Sequence, residues 1–384
     1  MTHATNKHAR STMSVDLDDS TRADADLARR TTVDVTPANE DGACKSGESN
    51  AVAGPEATAR GATSEEILAA PTGSESGVVT TPSGVHRLPE QRPRAPRPSG
   101  PLSGKRTPLR RFLARSTAAV NRALDALPPG RWLHRAFCPR VQIHHVDVHL
   151  SRGHRGLDGL EIAFLSDLHA GSFLDADELV ELFRRIQAEE PDVVCFGGDL
   201  INTREREILL YKDALAELAP PLGIFAVPGN HDHFFGTDIG LWESWLTEHG
   251  VTVLNNRGQR IEHAGAGLWI AGVDDLTEGT PDLEAALAGV EDEPVVLLAH
   301  HPDFFFEAAA VDVDLTLSGH THGGQVRFGN IVPLHHSRFD WIEGRHEVAG
   351  SQLYVGRGIG VTFLPLRIGA PPEVPILRLR IGSA

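Results

Sequence analysis

Short apolar runs that each stop at a polar, ligand-type residue recur from Val141 onward, and they restrict the folds open to this chain. Residues 160–166 lead to Asp167, residues 193–196 to Gly197, Gly198 and Asp199, and residues 223–227 to Pro228, Gly229, Asn230, His231 and Asp232. Residues 268–271 form a further run, residues 295–299 end at His300, and residues 315–317 lead to Gly319 and His320. Runs this short and this apolar read as buried strands. Between them, Leu179, Val180, Leu182, Phe183 and Ile186 have helical spacing, and a second helical stretch is expected around residues 208–218. Alternating strands and helices define an α/β architecture. Open α/β sheets place their sites just beyond the carboxyl ends of the strands, so one shared crevice is expected to collect these polar residues.

The rest of the chain narrows the class. Its 384 residues carry 36 Lys and Arg against 52 Asp and Glu, a formal charge of -16. A surface that negative repels nucleic acid, so a general DNA or RNA binder is disfavoured. Cys44, Cys138 and Cys195 are far apart and form no C-x-x-C pair, which excludes a thiolate zinc site and fits a reducing, cytoplasmic setting. No stretch approaches the roughly 18 to 20 apolar residues that cross a bilayer. No secretory leader is expected either, because residues 1–10 are polar and no apolar run follows them. Arg110 and Arg111 resemble a twin-arginine pair only superficially, since the apolar segment of an export signal is missing.

Three regions are expected. Residues 1–104 are rich in Ser, Thr, Ala, Asp, Glu, Gly and Pro, and bury too little to offset backbone entropy, so they read as a disordered polar tail. Residues 105–140 set Lys105, Arg106, Arg110, Arg111, Arg115, Arg122, Arg131, Arg135 and Arg140 against one acid, Asp125, with Leu109, Phe112, Leu113, Val120, Ala123, Leu124 and Leu127 near helical spacing. Such a basic amphipathic segment either rests on an anionic membrane surface or acidic partner, or packs its apolar stripe on the neighbouring domain; the second is favoured because cationic helices are common on soluble domains. Residues 141–384 form the catalytic domain.

The strand-end residues have the chemistry of metal ligands. Carboxylates, imidazoles and an amide oxygen suit Mn, Fe or Zn, and the lack of thiolates argues against a purely structural zinc site. On an extended strand end, residues at i and i+2 project to one side, so Asp167 with His169, and His320 with His322, are each expected to chelate one centre.

These blocks resemble the calcineurin-like metallophosphoesterases, and the resemblance covers residues 141–384. D-x-H occurs as Asp167 and His169, G-D as Gly198 and Asp199, G-N-H-D as Gly229 to Asp232, a lone strand-end histidine as His300, and G-H-x-H as Gly319 to His322, all in the family's order. The tail at residues 319–325, 354–360 and 367–373 is similar to the bacterial branch acting on small or lipid-linked phosphodiesters. The resemblance implies a four-layer α/β/β/α sandwich of two mixed sheets. It implies two divalent metal ions, Mn, Fe or Zn. One would be held by Asp167, His169, Asp199 and His322, the other by Asp199, Asn230, His300 and His320, with Asp199 bridging. In such sites two cations about 3.5 to 4 Å apart acidify a bridging water that attacks phosphorus, which makes the expected function a metal-dependent hydrolase of phosphomonoesters, phosphodiesters or pyrophosphates. His231 would donate a proton to the leaving oxygen.

One position departs from the pattern. Many relatives carry a carboxylate three residues past the bridging Asp to orient the acid histidine, whereas this chain has Asn202, whose amide could orient His231 without stabilising its cation. Asp232, His233, His301, His335 and His336 are expected to support the pocket or lie at the surface, and Arg357 and Arg367 to make structural pairs at least as readily as to bind phosphate. Residues 234–250 and 274–282 are expected to be the loops that choose the substrate. A Mn-dependent nuclease and an idle metal-binding scaffold are the competing readings. Acidic charge disfavours the first, and the intact His231 with seven ligands disfavours the second.

Overall fold

The apolar runs form strands whose successive side chains enter two different cores. The structure is a computed structural model that describes residues 116, 119–120, 122–233, 237–328, 332, 337–362 and 364–382. The expected tail at 1–104, most of 105–121, and His335 and His336 lie outside the described residues.

Two six-stranded sheets carry the domain. The first contains β1 (Gln142–Leu150), β2 (Glu161–Leu165), β3 (Val193–Phe196), β4 (Ile224–Ala226), β5 (Val251–Val253) and β12 (Glu373–Ile381), in the order β1-β12-β2-β3-β4-β5. The second contains β6 (Arg257–His263), β7 (Ala266–Gly272), β8 (Val295–Leu298), β9 (Leu315–Ser318), β10 (Gly344–Val348) and β11 (Ser351–Val355), in the order β10-β11-β9-β8-β7-β6. Both sheets are mixed. β2 to β5 run parallel while β12 pairs antiparallel with β2, and the parallel set β7, β8, β9, β11 is flanked by antiparallel β6 and β10.

Period-two geometry explains why the central strands β2, β3 and β8 have consecutive buried apolar residues. In β2, Ile162 and Phe164 enter the core between the sheets, while Ala163 and Leu165 enter the core under the helices. β3 divides the same way, with Val193 and Cys195 inside and Val194 and Phe196 outside. β8 sends Val296 and Leu298 to the inter-sheet core and Val295 and Leu297 to a third core with Phe305, Ala308 and Trp341. Three apolar cores therefore separate four layers, as the resemblance implied.

The flanking helices are α1 (Pro128–Phe137), α2 (Ala176–Gln187), α3 (Lys212–Leu215), α4 (Ile239–Glu248), α5 (Leu283–Ala286) and α6 (Phe305–Ala310). The expected helical spacing is realised in α2, which buries Leu179, Leu182, Phe183 and Ile186. Its start is set by a capping box. Asp175 accepts from the Glu178 nitrogen at 3.1 Å and Glu178 accepts from the Asp175 nitrogen at 3.0 Å, an arrangement that contributes about 1 kcal/mol. The stretch expected around 208–218 is a 3₁₀ turn, Glu205–Tyr211, that continues into α3. Much of the expected substrate loop at 234–250 is instead α4. Asp238 caps it through the Gly240 nitrogen at 2.9 Å, and Trp242 and Leu246 are buried against the first sheet, so these residues hold the fold together.

Candidate metal centre

Five of the seven candidate ligands leave their strands on a backbone that most residues avoid. Asp167 and His169 follow β2 with φ of 51° and 48°, Asp199 follows β3 at 55°, and His320 and His322 follow β9 at 70° and 53°. L-residues enter this left-handed region at a cost, and its recurrence at one place marks a functional constraint. It also corrects the expectation of extended strand ends. Asp167 and His169 do face one centre, but His320 and His322 divide between two groups because the chain turns sharply between them.

The ligating atoms form three overlapping groups, each within 4.8 Å: Asp167, His169 and His322; His169, Asp199 and His231; and Asp199, His300 and His320. In the first, His322 Nε2 lies 3.4 Å from Asp167 Oδ1 and 3.1 Å from His169 Nε2. In the third, His300 Nε2 is 3.3 Å from Asp199 Oδ2 and 3.3 Å from His320 Nδ1. Asp199 Oδ2 also stands 3.6 Å from His169 Nε2, so one carboxylate reaches both ends of the cluster.

The chemistry of the donor set fits divalent cations. Burial, aided for His169 by His231 and for His322 by the His169 ring and Arg367, holds both imidazoles well below their ordinary pKa. They are therefore neutral, the form in which histidine ligates a metal. Burial likewise raises the Asp167 carboxyl to about 6, with neighbouring Asp199 adding to the effect. For Asp199 burial acts upward, but the facing His300 and His231 outweigh it and hold the carboxyl well below its usual range. Burial also opposes charge on His300, yet Asp199 prevails and lifts that imidazole well above its ordinary value. Asn230 Oδ1 is buried with no hydrogen-bond partner, the condition expected of a ligand oxygen whose partner is a cation. Close approach is enforced by Gly229, where an added Cβ would overlap both the Asp199 carboxylate and its backbone nitrogen.

Supporting groups fix the ligands. His300 Nδ1 donates to the Gly197 carbonyl at 2.8 Å, which leaves Nε2 toward Asp199. Asp232, fully buried, accepts from the backbone nitrogens of Asp199 at 2.8 Å, Ile201 at 3.1 Å and Gly229 at 2.8 Å, tying the turn after β3 to the turn after β4. His301 packs its ring 4.2 Å from that of His320, and His233 Nε2 donates to Asp274 at 2.7 Å. Arg357 pairs with Glu373 at 2.5 Å, the structural role weighed for it.

The Asn202 expectation requires correction. His231 Nδ1 donates to the backbone carbonyl of Asn202 at 2.6 Å, while the Asn202 amide nitrogen is buried without a partner. Main chain, not side chain, orients this imidazole. Sequence reasoning also missed Glu207, whose carboxylate accepts from the nitrogens of Asn202, Thr203 and Arg204 at 3.0, 2.7 and 3.0 Å and so shapes the loop that carries that carbonyl. An acid a few residues past a polar loop signals such a cap only weakly.

Comparison with known proteins gives this site its class. Residues 160–324 match the family model described as calcineurin-like phosphoesterase. The chain is 34% identical over 232 residues to the uncharacterised metallophosphoesterase YkuE of Bacillus subtilis strain 168, spanning 59% of this chain and 80% of that protein. It is 36% identical over 234 residues to an uncharacterised metallophosphoesterase of Aquifex aeolicus, spanning 58% and 86%. A transmembrane protein with metallophosphoesterase domain from Bos taurus is 33% identical over 265 residues, spanning 65% of this chain and 59% of that protein. Fold, Asp and His clusters and relatives together define a metal-dependent phosphoesterase. The chain belongs to the calcineurin-like metallophosphoesterase family.

Proposed function

We propose that this protein hydrolyses phosphomonoesters, phosphodiesters or pyrophosphates of small or lipid-linked substrates at a two-cation site, with Asp199 shared between the cations. The observation that carries the reading is the position of Asp199, whose Oδ2 faces His169 at 3.6 Å on one side and His300 at 3.3 Å on the other. Asp167, His169 and His322 would complete one site, and Asn230, His300 and His320 the other. Divalent ions held there would supply Lewis-acid stabilisation of phosphoryl charge and make water acidic enough to serve as the nucleophile's source near neutral pH.

The chain's own contribution is positioning and proton handling. His231 is anchored at Nδ1 by the Asn202 carbonyl and at its backbone nitrogen by Asp199 Oδ1, at 2.6 Å in each case. Its ring stands edge-on to His169 with centroids 4.5 Å apart and stays only partly buried, so it sits beside the cluster, where Nε2 can hold a proton for the leaving oxygen. The Bos taurus relative's name places that protein in a membrane, which supports including lipid-linked substrates.

A panel assay tests the reading. Purified protein loaded with Mn, Fe, Zn or Mg is offered aryl phosphates, bis-aryl phosphates and nucleotide-sugar pyrophosphates, with bound metal counted per chain. Activity with two ions per chain is expected, together with a loss of at least about a thousandfold in Asp199→Ala. Wild-type turnover in that variant, or no turnover with any metal, would overturn it.

A further inference from the structure

We infer that α1 and the turn before it form a docking face for an anionic bilayer, placed so that a phosphoester carried by a lipid is presented to the metal site; the second half of this inference rests on the function proposed above. The face is apolar where water should be. Trp132 is 68% exposed, Leu127 54% and Phe137 46%, and Pro128, Pro129 and Ala136 are exposed beside them. The helix's inward side is already satisfied by Gly130, which is buried, and by His134, whose ring stacks on Phe173 with centroids 4.9 Å apart. α1 thus has apolar character on its outward side as well, more than packing on the domain requires.

Charge identifies the occupant. Across residues 122–140 the chain has Arg122, Arg131, Arg135 and Arg140 against Asp125, inside a protein of net charge -16. An anionic surface repels the bulk of such a molecule and attracts this segment, so charge alone orients it with α1 downward. Leu127, Trp132, Arg122, Arg131 and Arg135 line a concavity of about 730 Å³ together with Gly171 and Asp125, which pairs with Arg131 at 3.1 Å and leaves Arg135 free of that acid. Indole and guanidinium groups intermixed along one helix face suit the headgroup level of a bilayer, where Trp and Arg keep a polar end in water and an apolar body in lipid. An acidic protein would match the arginines but would leave the exposed prolines and indole without a reason. α1 itself has 10 residues, too few to cross a bilayer, so the contact proposed for it is at the surface.

Position links the face to the site. Arg131 reaches Asp175 at 3.5 Å, and Gly171 and Phe173 belong to the loop that follows His169. Arg122 donates to Thr203 Oγ1 at 3.0 Å, one residue from the carbonyl that anchors His231. At the other end the Arg367 nitrogen donates to the Phe137 carbonyl at 3.0 Å, near Leu364, which is 51% exposed. A bilayer against α1 therefore lies beside the loops carrying His169 and His231.

Vesicle sedimentation of the full chain is the test, with phosphatidylcholine alone and with equal parts phosphatidylcholine and phosphatidylglycerol. The protein should pellet with the anionic vesicles, stay in solution with the neutral ones, and be released by salt. Arg135→Gln should weaken binding about fivefold, and Trp132→Ser roughly tenfold. Hydrolysis of a soluble aryl phosphate reports folding of the variants, because neither residue belongs to the proposed catalytic machinery. In wild type, brominated acyl chains should quench a component of the indole fluorescence that Trp132→Phe lacks, a measurement that needs no destabilising change. Equal binding to both vesicles, binding to neither, or no quenching assignable to Trp132 would overturn the proposal. Vesicle binding with no phosphoester hydrolysis would sink the proposed function while leaving the docking face intact.

Discussion

Arg367 makes the supporting structure of the site measurable. Its side chain is 2% exposed and no carboxylate pairs with it among the described residues; the guanidinium donates chiefly to backbone carbonyls, with Nη2 also 3.3 Å from His322 Nδ1. Nε and Nη2 reach the Gly360 carbonyl at 2.9 and 2.6 Å, Nη1 reaches that of Arg357 at 2.8 Å, and longer contacts of 3.3 Å run to the carbonyls of His322 and Ala370. Each short bond from a charged donor contributes about 1.5 to 3 kcal/mol. Against them stands the cost of burying the cation, large enough to lower its pKa to about 10. Letting one short bond offset that cost and taking the lower figure for each of the other two, Arg367→Met should lose at least about 3 kcal/mol, since it keeps much of the volume but leaves two carbonyls without donors. For a domain of this size the loss corresponds to about 6 to 12 °C in melting temperature. Because one contact reaches the carbonyl of His322, metal affinity should also fall about 10- to 100-fold. Thermal unfolding and isothermal metal titration of Arg367→Met beside wild type measure both. A melting temperature within about 2 °C and an unchanged affinity would refute the reasoning.

Asn202→Ala should cost less than about tenfold in turnover, because the bond that orients His231 comes from the main chain; inactivity of a folded variant would show that the amide acts directly. Metal binding should release protons, since cations compete with those held by His300 and, near pH 6, by Asp167. Both folded-state pKa values are raised, so affinity should weaken as pH falls through about 6, and proton-coupled titration in buffers of different ionisation enthalpy should show the release. Uptake in place of release would contradict the assignment.

The sequence announced the site better than the scaffold. β2, β3, β4, β8 and β9 are legible because both faces are buried and, Glu161, Thr316 and Ser318 apart, every residue is apolar, and each leads to its ligand. β1 and β12 are harder to see, since β1 sits at a sheet edge with four of its nine positions exposed and with His and Asp among them, and β12 carries Pro375 and Arg378. α4 reads as a loop in the sequence because Gly240, Ser244 and Thr247 dilute its apolar face, yet Trp242 and Leu246 anchor it. Asp167, His169, Asp199, His300, His320, His322 and His231 come together, and Asn230 follows Gly229, which packs on Asp199. What strand periodicity could not reveal is how the two imidazoles of H-x-H divide, because that depends on backbone angles outside the strand. Asp232, Glu207 and Arg367 act chiefly on backbone groups, and no side-chain pattern records which carbonyls and amides will need a partner.

Five of the candidate ligands stand on left-handed backbone, and this bears on how the protein balances durability against work. Each such residue costs roughly 1 to 2 kcal/mol that glycine would spare. Summed over Asp167, His169, Asp199, His320 and His322, the burden is comparable to the entire margin by which an ordinary domain stays folded. A sequence selected for toughness alone would carry glycine at all five places and hold no cation. The three apolar cores must be strong enough to keep those turns wound, and captured metal then returns part of the deficit by binding only the folded chain.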